Sequence, residues 1–320
     1  MRVKRREVSM DFQSILGLTE TALELGLISS LTVLALFLSY TMLNVCDLST
    51  DGCFTLGAAV GAVVAIAGHP YLAIFAAILA GMLSGLITAF LQTKMGIDSL
   101  LSGIIVNTAL YSINIAVMGK SSLLNMNKTE TIFMKVNGAL AKTPLKNASN
   151  LTVIIFFVVL VVLFLTFFLR TRIGLAIRAT GNNPAMVKSS SINPVMTTII
   201  GLCIANAFTG LSGCIMAQYQ KSVNIDIGSG MVTVALASLL IGNAFMGKGP
   251  IWFRATGVVV GSFIFRLVYT IALRFHMPAF MLKLVSSVIV IIAISGPYLK
   301  KQFPLIKRKI MLKKGGRIDA

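Results

Sequence analysis

Ionisable and amide side chains interrupt otherwise apolar text at Asp47, Asp51, Asn107, Asn114, Asn206 and Arg266. In hydrocarbon each costs several kcal/mol unless paired or wet. Such residues do one of two things: line a polar translocation pathway, or tie helices together by hydrogen bonds. Asn107 and Asn114 are seven positions apart and share one helix face. Arg266, in the middle of GSFIFRLVYTIAL, needs an acid, carbonyls or water, or must snorkel to the interface. A second constellation lies between apolar runs, at Arg170–Pro194 (RTRIGLAIRATGNNPAMVKSSSINP). It holds Arg170, Arg172, Arg178 and Lys188 and no acid. Gly181-Asn182-Asn183-Pro184 reads as a turn followed by a helix start. Asn183 can cap free amides, and Pro184 suits the first helical position because it has no N–H to lose. The short helix is expected over about Ala185–Ser190, stopped by Asn193-Pro194. A capped helix held between two spans offers a surface that a motor protein can push; the alternative is a plain cytoplasmic loop whose arginines set topology.

Catalytic chemistry finds little support. The chain has two histidines, His69 and His276, and four cysteines, Cys46, Cys53, Cys203 and Cys214, without CxxC spacing. No metal set, no Ser-His-Asp or Cys-His set and no cofactor site can be assembled from them. The cysteines read as small packing residues. MGKSS (118–122) resembles the end of a phosphate-binding loop, but Asn114 stands where the first glycine belongs.

The elements that must position these residues are membrane helices. Of 320 residues, 56% are hydrophobic and 12% charged, with a mean hydropathy of +0.89. Soluble domains carry about 25% charged residues. The apolar residues sit in runs of about 20, long enough to cross a bilayer. The expectation is an all-α polytopic helical bundle, a single transmembrane domain over residues 1–320. The net charge of +18 does not point to nucleic acid. Its cations abut apolar spans at residues 1–18, 170–194 and 300–320, the positive-inside pattern. The tail is expected to lie on anionic lipid. No cleavable signal peptide is evident.

Spans are expected at about Leu25–Leu43, Tyr71–Gln92, Leu100–Met118, Leu151–Leu169, Met196–Gln218, Phe253–Leu273 and Phe280–Leu299, with a Gly-rich segment at Ile225–Met246. Asp47, Ser49, Thr50, Asp51 and Gly52 break the run before Cys53–Gly68, so a broken or re-entrant helix is expected there. If 53–68 re-enters without crossing, about eight spans remain. The basic lead-in 1–18, the loop 170–194 and the tail 300–320 then share the cytoplasm, and Gly119–Asn150 faces outside, with its lysines. DLSTDGCFTLGAAVGAVVAIAG and NIDIGSGMVTVALASLLIGNAFMG echo each other, each opening with an acid and a Gly/Ser break. Paired interrupted segments of this kind point to a transport site near the midplane. Gly57/Gly61, Gly81/Gly85 and Gly257/Gly261 allow close helix approach, within the chain or across a dimer.

NVCDLSTDGCFTLGAAVGA resembles the N-x-x-D-L-S-x-G-x-x-x-L-G-A segment of permeases from branched-chain amino-acid and ribose-type ABC importers. GLAIRATGNNPAMVKSSSINPVMTTIIGLCIANAFTGLSGCIMAQY is similar to that family's cytoplasmic loop and following span, and SGMVTVALASLLIGNAFMGKGP to its Gly-rich segment. Ser190-Ser191 and Met246-Gly247-Lys248-Gly249 depart from the usual Ser-Gly and Gly-Gly-x-Gly. Arg266 and HMPAFMLKLVSSVIVIIAI look most like a subgroup of tryptophan/tyrosine or uncharacterised ABC permeases. The resemblance implies an amino-acid importer in a bacterial plasma (inner) membrane. Its partners would be cytoplasmic ABC ATPase subunits that hydrolyse ATP, an extracellular or periplasmic solute-binding protein, and a second permease chain, identical or paralogous. Gly181, Asn182, Asn183, Pro184 and Lys188 would then belong to the coupling helix seated in the ATPase, while Asp47, Asp51, Asn107, Asn114 and Arg266 are the candidates for the pathway. From another class, a secondary carrier would use Asp47 or Asp51 to bind a proton or cation.

Overall fold

The computed structural model describes residues 12–139, 149–247 and 249–274, with positions 284, 287, 288, 290, 291 and 295 of the final apolar segment. The expected span Phe280–Leu299 and the tail 300–320 therefore lie largely or wholly outside the described residues. What is described is helical, apart from one two-stranded pairing.

The helices, in chain order, are α1 (Phe12–Leu36), α2 (Thr50–Ile66), α3 (Pro70–Thr93), α4 (Ser99–Val117), α5 (Ile132–Ala139), α6 (Ser149–Phe168), α7 (Arg172–Asn182), α8 (Pro184–Ser189), α9 (Pro194–Gln220), α10 (Met231–Met246) and α11 (Ile251–Arg274). α1 continues as a π-helical turn, Phe37–Met42. The strands are β1 (Leu123–Asn125) and β2 (Ser222–Asn224), antiparallel with Leu124 opposite Val223.

Two ends of the bundle can be told apart by contacts. β1 and β2 join the end of α4 to the end of α9. At that end Gln218 accepts from the Ile132 N–H at 3.0 Å and donates to Pro70 O at 3.4 Å, while Tyr219 donates to Glu24 at 2.6 Å. This is the hairpin end. At the other, basic end, Gly181 rests on Met42 and Leu43, and the Thr180 and Thr197 hydroxyls meet at 2.8 Å. α1 therefore runs from the hairpin end to the basic end, and α9 returns beside it.

Six helices are long and apolar enough to cross a membrane, and α2 and α10 are shorter apolar helices. The all-α, multi-span class expected is what the described residues show, with six helices of spanning length rather than the expected count of about eight. The chain between Leu43, at the basic end, and Ala67, beside Pro70 at the hairpin end, passes from one end to the other. The segment expected to re-enter, 53–68, runs from beside Asn206 in the middle of the bundle to the hairpin end. α1 starts at the hairpin end, so residues 12–18 and the 170–194 loop lie at opposite ends of the described bundle.

α1 and α9 form the interior, 78% buried along their most apolar stretch, whereas α4 and α6 are 28% buried. α2 and α3 pack on α9, and α11 packs on α1 and α10. Small residues set these contacts within the chain: Gly57 against Gly210, Gly61 against Cys214, Gly81 against Asn206, and Gly261 against Ser238. Outward faces carry Phe75, Leu83, Phe156 and Phe167, suited to acyl chains.

Candidate functional site

Two helix starts meet inside the bundle. α2 begins at Thr50, after an irregular stretch that follows the π-helical turn. Its first turn lies beside Asn206, about halfway along α9. Asp47 holds the break together. Its Oδ1 accepts from the Ser49 N–H at 2.8 Å and the Ser49 hydroxyl at 2.6 Å, and its Oδ2 accepts from Asn206 Nδ2 at 2.7 Å. Thr88 of α3 donates to the Ser49 hydroxyl at 3.3 Å. Asp47 is 2% exposed. A buried carboxylate survives only when its lone pairs are engaged, and here three donors engage them.

Asp51 sits in the first turn of α2 and caps a different helix. Its Oδ2 accepts from the Gly230 N–H at 2.9 Å and its Oδ1 from the Val232 N–H at 2.8 Å. These are the free amides at the start of α10, so one carboxylate lies at the positive ends of two short helices. Gly228 makes the approach possible: a Cβ there would collide with the Asp51 carbonyl oxygen. The two echoing segments of the sequence are thus in direct contact.

α4 closes the site on one side. Asn114 donates to Gly52 O at 3.2 Å, and its Oδ1 is buried without a partner. Asn107, half-buried, lies on the same face, its Oδ1 close to the Gly52 Cα. Asn206 Oδ1 is likewise without a partner. The structure therefore brings Asp47, Asp51, Asn107, Asn114 and Asn206 around the first turn of α2. Arg266 stays apart. It crosses the α1–α11 contact, donates to the Ser29 hydroxyl at 3.2 Å and stacks on Tyr269 at 5.5 Å. Thr88 and Gly228 were not singled out as site residues by the sequence; their partners, Ser49 and Asp51, are remote in the chain, and hydroxyls and glycines abound in membrane helices.

At the basic end, the Arg170–Pro194 segment is more ordered than expected. Residues Arg172–Asn182 are helical, with Thr171 accepting from the Gly174 N–H at 3.2 Å as the cap. The short helix lies where the cap chemistry puts it. Asn183 Oδ1 accepts from the Ala185 and Met186 N–H groups at 3.1 and 3.2 Å, with Pro184 at the first position. It ends one residue earlier than expected, with Ser191 left-handed at φ 60°. Asn193 starts α9 instead, accepting from the Val195 N–H at 2.9 Å. Asn182, Met186 and Lys188 face outward while Val187 is buried. Gly181 is wedged against the Met42 carbonyl, where any side chain would collide. α7 and the end of the π-helical turn are therefore in backbone contact.

A bundle with two interrupted helices meeting inside it, and a capped basic helix pair at one end, has the parts of a transport permease. The chain belongs to the family described as the permease component of the branched-chain amino acid transport system, whose model matches residues 18–294. It is 34% identical over 267 residues to the tyrosine transport system permease protein of Clostridioides difficile (strain R20291), covering 83% of this chain and 86% of that one. It is 31% identical over 282 residues to an uncharacterized protein of Rickettsia prowazekii (strain Madrid E), covering 86% and 96%. Over 192 residues it is 27% identical to the guanosine ABC transporter permease protein NupQ of Bacillus subtilis (strain 168), covering 55% and 57%. No solved structure matches. The chain is an ABC-type permease and a multi-pass protein of the bacterial plasma (inner) membrane. Such permeases work with ABC ATPases and solute-binding proteins.

Proposed function

We propose that this chain is the membrane subunit of an amino-acid importer and that its α7–α8 end faces the cytoplasm. ATP hydrolysis then falls to a separate subunit seated on α8, with Gly181, Asn182, Asn183, Pro184 and Lys188 forming the coupling surface. A second permease chain, identical or paralogous, completes the pathway. The half-buried Asn107 and the buried polar set around Thr50–Gly52 lie beside that pathway.

The observation that carries this reading is the seating of Gly181 on Met42 and Leu43. A push on α8 reaches α7, then the end of the π-helical turn, then the irregular stretch that holds Asp47. Coupling of this kind needs two sites joined through an element with two arrangements. A chain interrupted in the middle of a bundle, held by a few hydrogen bonds, is such an element. Asp47 and Asp51 are engaged in holding helix starts, which weighs against their use as proton or cation sites of a secondary carrier. Arg266, bonded to Ser29, serves the α1–α11 contact in this reading rather than the pathway.

The amino-acid reading draws on the family and on the tyrosine permease relative. The test is uptake of labelled tyrosine into proteoliposomes that contain the chain, its co-purifying ATPase and its binding protein, with ATP inside. Saturable uptake of tyrosine or another amino acid, abolished without ATP, is the expected result. Uptake of guanosine alone would move the substrate to nucleosides, and uptake driven by an ion gradient without the ATPase would reject the importer.

A further inference from the structure

Two arginines bracket the π-helical turn with no acid between them. Arg254, in the first turn of α11, lays its guanidinium over the Phe37 ring, with Cζ 5.4 Å from the centroid, and its Nε is buried without a partner. Arg178 of α7 lies one turn before Gly181, which rests on Met42 at the other end of the same π-helical turn. Both side chains are half-buried, and their charges repel. Among the described residues the recorded ion pair is Lys135–Glu130, in the segment attached to the hairpin end. Of the described acids, Asp47 and Asp51 are engaged at the helix breaks, and Asp98 is exposed and caps α4 through the Leu100 N–H at 2.9 Å.

Half-buried like charges are costly without a counter-ion. Planar guanidinium forks match phosphate oxygens two at a time. The surroundings fix the depth at which such an anion would lie. Trp252, the single tryptophan of the chain, is 50% exposed and two residues from Arg254; tryptophan favours the boundary between acyl chains and headgroups. α7, which carries Arg178, also exposes Ile173 and Leu175, as a helix lying along that boundary does. We propose that Arg178 and Arg254 form a binding site for a phosphate-bearing anion, the headgroup of an anionic phospholipid, seated along the π-helical turn between the Arg254–Phe37 contact and the seat of α7 on Met42. The lipid would then neutralise the repulsion between α7 and α11 and hold α7 against Met42.

Trp252 reports on this site directly. The purified chain in neutral detergent is titrated with brominated phosphatidylglycerol or brominated phosphatidylcholine, and bromine quenching of Trp252 fluorescence is followed. The expected result is half-maximal quenching at an about tenfold or more lower mole fraction of the anionic lipid, from two arginines at a charged surface. That preference should vanish in Arg178→Gln/Arg254→Gln and persist in part in Arg178→Lys/Arg254→Lys, which keeps the charge without the fork. Inorganic phosphate in millimolar excess separates the sources: unchanged quenching assigns the lipid, and release of quenching assigns a free phosphate that the lipid merely mimics. Equal quenching by the two lipids in the unaltered chain overturns the proposal, whether or not the variants fold; so does an unchanged preference in a folded glutamine pair.

Discussion

Asp51 carries more of this structure than its single charge implies, because it caps a helix other than its own. Asp51→Ala would leave the Gly230 and Val232 amides without their acceptor inside the bundle. Hydrogen bonds to a charged group are worth about 1.5–3 kcal/mol each, and unpaired buried donors add to the loss. The expected outcome is a fall in thermal stability in detergent of about 2–4 kcal/mol, with Asp51→Asn between the two because one oxygen remains to accept. An alanine variant as stable as the parent would remove Asp51 from this role. Asp47 behaves differently. Its partners are a local serine and the remote Asn206, so Asn206→Ala is expected to destabilise less than Asp47→Ala, which strips acceptors from both.

At the scale of elements, the coupling pair α7–α8 separates into cap and wedge. Asn183→Ala/Pro184→Ala removes the cap of α8, at a cost of about 1 kcal/mol, and should lower ATPase co-purification while the chain still reaches the membrane. Normal ATPase recovery with the double variant would mean that α8 does not seat the partner. The caps were legible in the sequence because their chemistry is local: Asn183-Pro184 and Asn193-Pro194 carry acceptor and fixed φ within two residues. The broken helix was legible at Asp47–Gly52 because charge and glycine stand out in apolar text. What that charge bonds to was not, since Asn206 and Gly230 are 159 and 179 residues away from their partners. α7 was missed because basic residues around Gly174 read as loop; it is its packing through Ile177 and Thr180 that makes it a helix. The π-helical turn Phe37–Met42 has no pattern of its own in the residues, and the candidate pathway position Arg266 proved to have a separate contact in Ser29.

For the bundle as a whole, the proposed orientation places the basic end and the hairpin end on opposite sides of the membrane. Charge counting, with 53–68 re-entrant, expected the lead-in on the side of the basic loop, whereas α1 starts at the hairpin end. Two cysteine variants in exposed positions test this: Lys188→Cys at the basic end and Ser121→Cys at the hairpin end. A thiol reagent that cannot cross membranes should label the second in intact cells and the first only after permeabilisation. Labelling of both from one side would contradict the arrangement. The free cysteines Cys46, Cys53, Cys203 and Cys214 are half-buried or buried and would be replaced by serine or alanine for this experiment.

The central claim is that force passes from α8 to the helix break through the Gly181–Met42 contact. The most direct test is the ratio of solute taken up to ATP hydrolysed in proteoliposomes of the complete complex, with and without Gly181→Val. A side chain there cannot coexist with the Met42 carbonyl, so α7 must move off the π-helical turn. The account predicts an about tenfold or larger fall in that ratio, within the range of allosteric coupling energies, with the chain still in the membrane and ATP still hydrolysed. An unchanged ratio in a stably assembled variant would contradict it.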